Sequence, residues 1–238
     1  MNTPKALGVL AVLLFAAEAQ ARNPGILPPD QSFNGKTYSE WAAEWGKWDA
    51  SIPWSTSPRM DTTGEWADLN QSGPVWFLSD AVLSILGRDR AVTRTVTIPE
   101  DTWLFIPVVR TGWTVFEVAG DPPWSPEERE RVRGLIDAFV DRVDLLSCEI
   151  DGVSVTDLHA YDFATPDGGE YMETYPDDNF LVALGYDVPG FTYGPTIDRG
   201  VYLMVRPLSA GEHTVHFTSA VREPHRYAID VTYELTVE

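Results

Sequence analysis

Residues 227–237 read YAIDVTYELTV, and the alternation in this run decides the fold class. Tyr227, Ile229, Val231, Tyr233, Leu235 and Val237 fall on one face of a strand; Ala228, Asp230, Thr232, Glu234 and Thr236 fall on the other. A period of two with one apolar side describes a strand that lies on a core and faces water, the usual situation in antiparallel sheets. Working back toward the N-terminus, HTVHFTS (213–219), VYLMV (201–205), CEIDGVSV (148–155), WTVFEV (113–118), WLFIPVV (103–109), VTRTVTI (92–98) and PVWFLS (74–79) are short runs of β-branched and aromatic residues between turn-formers. Asp151-Gly152 separates two alternating arms and predicts a tight hairpin, because both residues accept positive φ. Roughly nine or ten strands with two helices imply an antiparallel β-sandwich, jelly-roll-like or immunoglobulin-like, with the helices against its side or end.

Two helices stand out from the strands. In SPEERERVRGLIDAFVDRV (125–143), Ser125 is the N-cap, Pro126 takes the first helical position and Glu128 completes a capping box. Val132, Leu135, Ile136, Phe139, Val140 and Val143 then recur at helical spacing, so this amphipathic helix is inserted between strands. The second is TYSEWAAEWGKWDASIP (37–53), with a capping box at Thr37 and Glu40 and an end set by Pro53. Its Trp41, Trp45 and Trp48 lie within roughly 60° of arc at about 100° per residue. That indole face meets either the protein's own core or a ligand. Trp54, Trp66 and Trp76 follow closely, the first two in an aperiodic stretch from Pro53 to Gly73 that reads as a long ordered loop.

The N-terminus reads as an export signal: Lys5 for the charged region, Ala6 to Ala17 for the apolar region, and Ala19-Gln20-Ala21 as a cleavage site. The expected organisation is residues 1–21 as signal peptide, 22–36 as an extended arm and 37–238 as one β-sandwich domain, placed in the periplasm or outside the cell. No later run has the roughly 20 apolar residues of a membrane helix, so stable membrane insertion is not expected. A formal net charge of −19 repels nucleic acid and anionic lipid and suits a cationic partner. Cys148 is the single cysteine, so no internal disulfide forms, and its place in an alternating run predicts a buried, inert thiol.

Candidate chemistry is sparse. His213 and His216 are three apart in a strand, hence on opposite faces, and cannot chelate one metal. Asp177-Asp178-Asn179 in YPDDNF offers oxygen ligands for calcium, the one cofactor for which the sequence suggests a site, although the spacing is not that of an EF-hand. Glu44, about 40° from Trp48 on the helical wheel, and Asp61 in the DTTG turn are the candidate catalytic carboxylates. Each has a structural alternative, Glu44 in pairing with Lys47 or Arg59 and Asp61 in capping its own turn. Trp45, Trp54, Trp66 and Trp76, with Gln71, are the candidate ligand-binding residues, since indole stacks on sugars, aromatic rings and cations. No G-x-S-x-G, H-E-x-x-H, phosphate-loop or dinucleotide fingerprint occurs.

Taken together, TYSEWAAEWGKWDASIP, DTTG, QSGPVWFL, VTIPEDTWLFIPV and PLSAGEHTVHF resemble, in this order, a family of exported bacterial proteins of unassigned activity. The resemblance implies export and a shared fold over most of the chain. It also implies a disulfide between a cysteine ahead of the QSGPVWFL segment and one in the strand around Val96. Those regions here read EWADLNQSGP and VTRTVTIP, without cysteine, so that bridge is absent.

Three functions remain open on this reading. The first is an exported binding module for a carbohydrate or other small ring-bearing ligand. The second is a secreted hydrolase or lyase using paired carboxylates. The third is an envelope structural or interaction protein whose tryptophans are simply core.

Overall fold

The computed structural model describes residues 23, 25–82, 91–114, 125–221 and 227–238. The signal segment and residues 115–118 of the WTVFEV run lie outside them. The fold is mainly β, a sandwich of two sheets packed face to face. The strands are β1 (Val75–Phe77), β2 (Val92–Ile98), β3 (Trp103–Thr114), β4 (Val143–Ile150), β5 (Val153–Ser154), β6 (Asp162–Ala164), β7 (Tyr171–Tyr175), β8 (Phe191–Val205), β9 (Gly211–Val221) and β10 (Tyr227–Val237). One sheet runs β1-β3-β8-β6, with β7 also paired to β8, and the other β2-β10-β9-β4-β5.

The expected β-sandwich is present; most of its strand pairs are antiparallel, and each sheet also holds one parallel pair. β1 runs parallel to β3, and β2 runs parallel to β10 from Val92↔Val231 to Val237↔Ile98. Alternation reports a half-buried strand but is silent on its neighbour's direction. All six apolar positions of β10 are buried as their spacing predicts. The Asp151-Gly152 turn has positive φ at both residues and closes the β4–β5 hairpin. Cys148 is buried opposite Phe217, and burial pushes its thiol up to about 12.

Helix α1 (Tyr38–Ala50) starts with both halves of the Thr37/Glu40 capping box in place. α2 (Pro126–Val140) has the equivalent box at Ser125 and Glu128 and buries Val132, Ile136 and Val140. The tryptophan face of α1 turns into the core. Trp41, Trp45 and Trp48 are buried, and each indole N–H donates to a carbonyl of an irregular segment: Phe33 at 3.1 Å, Leu78 at 2.7 Å and Leu69 at 2.9 Å. One apolar stripe thus both fills the core and ties three connections to the helix. The arm before α1 is tied down as well. Leu27 N donates to Met204 O at 2.8 Å, Arg206 N to Gly25 O at 2.7 Å, and the Tyr38 hydroxyl to Leu27 O at 2.6 Å.

Arg94 is fully buried on the inward face of β2, in line with Val92, Val96 and Ile98. Its guanidinium donates to the carbonyls of Asp61 (3.0 Å), Ser79 (2.6 Å) and Asp80 (3.0 Å) and to the Tyr233 hydroxyl (2.6 Å). The Pro53–Gly73 loop and the segment after β1 are therefore held against the second sheet by one side chain. Arg94→Met should destabilise the protein by about 3 kcal/mol or more, because it strands several buried acceptors together. Urea unfolding at neutral pH checks this, and a loss below about 1 kcal/mol would refute the clamp.

Candidate functional site

Where α1 packs on β3, β7 and β8, the interior turns polar. Arg110 of β3 reaches Asp198 of β8 through two nitrogens at 3.0 and 2.8 Å, and its guanidinium lies 4.7 Å from the Trp45 ring centroid. Gly112 makes room for this arginine, since a side chain there would collide with its Nη2. The other Asp198 oxygen accepts from the Tyr202 hydroxyl at 2.6 Å. A second arginine, Arg59 from the loop, binds Asp80 at 2.8 and 3.3 Å and Asp49 of α1 at 3.4 Å, while the Tyr227 hydroxyl donates to Asp80 at 2.9 Å. Each of these three aspartates has an arginine beside it, as buried charge requires.

Glu173 of β7 differs. It is 5% exposed, and among the described residues its hydrogen-bond partner is the Tyr175 hydroxyl at 2.7 Å, with no arginine in contact. Burial raises its carboxyl to about 7; attraction from Arg110 and the Tyr175 hydrogen bond only partly oppose this, and Asp49 and Asp198 push further upward. Asp49 is raised as well, by burial first and by repulsion from Asp80, against the pull of Arg59. Asp80 goes the other way: burial is outweighed by the charge and hydrogen bonds of Arg59, which hold it below the usual range.

Rings roof this carboxylate. Tyr175 packs with Phe180, Phe191 and Tyr193 at centroid distances of 5.8, 5.5 and 6.0 Å, and Trp54 reaches Phe180 at 6.4 Å. All five are partly exposed. The register of β7 with β8 explains the grouping, since Glu173 lies opposite Tyr193 and Tyr175 opposite Phe191, so all four share a face. Below them, the hydroxyls of Tyr171 and Thr196, directly opposed in the same ladder, are buried without a hydrogen-bond partner among the described residues.

The roof contains one of the residues singled out by sequence. Trp54 N donates to Asp178 O at 2.9 Å and Ser55 N to Asp178 Oδ2 at 3.0 Å, so the tryptophan loop and the YPDDNF turn meet here. Asn179 is a helix cap: its Oδ1 accepts from Leu181 N and Val182 N of α3 (Phe180–Ala183), and its Nδ2 donates to the carbonyls of Pro176 and Val188. That Asn179 oxygen is therefore committed to backbone amides. Among the described residues no three His, Cys, Asp or Glu side chains gather to hold a metal ion.

The remaining candidates serve the fold. Trp45 is 0% exposed and Trp76 is buried in β1, so neither presents a face to a ligand, a correction that follows from the depth at which α1 and β1 pack. Gln71 acts as a strand substitute for edge strand β1, accepting from Phe77 N and donating to Phe77 O. Trp66 is half-buried in its loop. For Glu44, burial is outweighed by hydrogen bonds from Lys47 and Lys36 that keep it below the usual range. For Asp61, burial is outweighed by the amides of Trp66 and Thr63, so it caps its own turn. Neither carboxyl has the raised pKa that a general acid needs. A cleft of about 310 Å³ lies elsewhere, between α2, β4 and β8, lined by Asp141, His159, Asp162 and Arg199 among others. Arg199 there is already bound to Asp137, Asp141 and Asp162.

Sequence reasoning missed Glu173 because β7 reads YMETY, which is short, acidic and without β-branched apolar residues. The available signal was the aromatic-acid-aromatic alternation Tyr171, Glu173, Tyr175. Similarly, Arg94 on the apolar face of VTRTVTI marked a buried cation.

No family model matches the chain, and no curated protein matches it. The solution structure of amebosin aligns with 62% of this chain and 96% of its own length at 12% identity, with a TM-score of 0.16, a likeness too slight to carry an argument.

The Glu173 shift has a definite sign. Between the ordinary value of 4.5 and about 7 the folded protein holds a proton that the unfolded chain has lost. Its contribution is therefore full below about pH 4.5 and disappears as pH rises to 7, a loss of about 3 kcal/mol. Relative to the parent, Glu173→Gln should gain that amount between pH 4.5 and pH 8 in urea unfolding. A pH-independent difference would refute the shift.

Proposed function

We propose that this protein is an exported binding module for a carbohydrate or other small ring-bearing ligand. The observation that carries this reading is the group of partly exposed rings, Trp54, Tyr175, Phe180, Phe191 and Tyr193, set around hydrogen-bonding groups. Rings that retain exposure can stack on a sugar or aromatic face, while Asp178 and Glu173 beside them supply acceptors. Export is supported by the pattern of residues 1–21. Among the described residues no helix is long and apolar enough to cross a membrane.

A second reading, an envelope interaction protein, is supported by a separate observation. Met172, Val182, Leu184 and Tyr186, in and after β7 and α3, are exposed, and such side chains can meet another protein. The two readings part on small-molecule binding.

Titration of intrinsic tryptophan fluorescence with oligosaccharides and small aromatic compounds tests the binding reading. A saturable shift is expected that Trp54→Ala removes while the melting temperature moves by no more than about 4 °C. A shift that survives Trp54→Ala, or none with any compound, would count against this site.

A further inference from the structure

Each aspartate in the polar centre has a guanidinium beside it; among the described residues Glu173 has none. Arg110 is committed to Asp198, Arg59 to Asp80 and Asp49, and Arg94 to three carbonyls and the Tyr233 hydroxyl. Buried carboxylates without a cation are costly, so a proton or an external cation must supply the missing charge. The groups facing Glu173 are Asp49 from α1, Arg110 from β3, Tyr171 and Tyr175 from β7, and Asp198 from β8. Of these carboxyls Asp49 is also raised, so the local balance favours a cation further.

Two independent features point to an organic cation. Among the described residues, the Tyr171 hydroxyl is buried without a partner and feels the charges of Asp198, Glu173 and Arg110. The Thr196 hydroxyl opposite it in the ladder is likewise unpaired. The neighbours of Glu173 on its face of the sheet are aromatic, Tyr193 opposite it and Tyr175 bonded to it, and aromatic rings attract ammonium groups but offer a metal no ligands.

On the binding reading above, we propose that the ligand's ring carries an ammonium group, a protonated amine or a quaternary nitrogen, which displaces the Tyr175 side chain from Glu173, packs against Phe191 and Tyr193 and pairs with Glu173. A small ammonium replaces the Tyr175 hydroxyl as the carboxylate's partner, and the rest of the ligand stacks toward Phe180 and Trp54. The acidic surface, at a formal net charge of −19, steers such a cation toward the protein.

The test compares ring-bearing cations with a neutral counterpart by calorimetry on the mature protein: benzyltrimethylammonium and protonated benzylamine against benzyl alcohol. At pH 8 the cations should bind at least tenfold more tightly. Benzyltrimethylammonium cannot lose its charge, so its affinity reports the protein alone and should fall about tenfold from pH 8 to pH 6 as Glu173 takes up a proton near 7. Glu173→Gln should remove both the preference and the pH dependence; should that variant not fold, the parent's pH profile decides. Equal, Trp54-dependent binding of neutral and cationic members would leave the binding module standing and overturn the cation. Binding of neither would overturn both.

Discussion

Guanidinium groups can be buried only if their donors are met, and this requirement organises the molecule. Arg94 and Arg110 enter the interior from opposite sheets and Arg59 from the loop between them. Arg94 can be satisfied only if the carbonyls of Asp61, Ser79 and Asp80 converge, which sets the path of an otherwise aperiodic loop. Arg110 fixes Asp198, and through it Tyr202; Arg59 fixes Asp80, and through it Tyr227. A dry apolar core would have been simpler to stabilise, because buried ion pairs recover little beyond their desolvation. What the arginines provide is geometry, one arrangement of polar groups in a largely buried place.

The tryptophans of α1 solve a related problem. An irregular segment under a sheet leaves backbone carbonyls in need of donors. Trp41, Trp45 and Trp48 satisfy one each while filling volume between helix and sheet. The aromatic density of the N-terminal region therefore belongs mostly to the fold, and the partly exposed rings near Glu173 come largely from elsewhere in the chain. Only Trp54 belongs to both descriptions.

Much of the framework was legible because it rests on local chemistry. The capping boxes at Thr37/Glu40 and Ser125/Glu128, the Asp151-Gly152 turn and the alternation of β10 are short-range patterns with one physical reading each. The parallel pairings of β1 with β3 and β2 with β10 were not, because strand direction depends on partners far away in the chain. The same limit hid the polar centre, whose members at 49, 59, 80, 110, 173 and 198 meet only after the sheets form. WLFIPVV and Trp113-Thr114, read apart, belong to one strand, β3, whose register shifts between Pro107 and Val109, where proline cannot donate to the ladder.

At the centre of this account is a buried carboxylate that has no cation paired with it among the described residues and lies beside partly exposed rings. Its protonation reports that situation directly. A ¹³C NMR titration of the Glu173 carboxyl in the ligand-free protein should give a midpoint near 7. A midpoint at the ordinary value of 4.5 would mean that Glu173 is solvated or already paired, and would contradict the account.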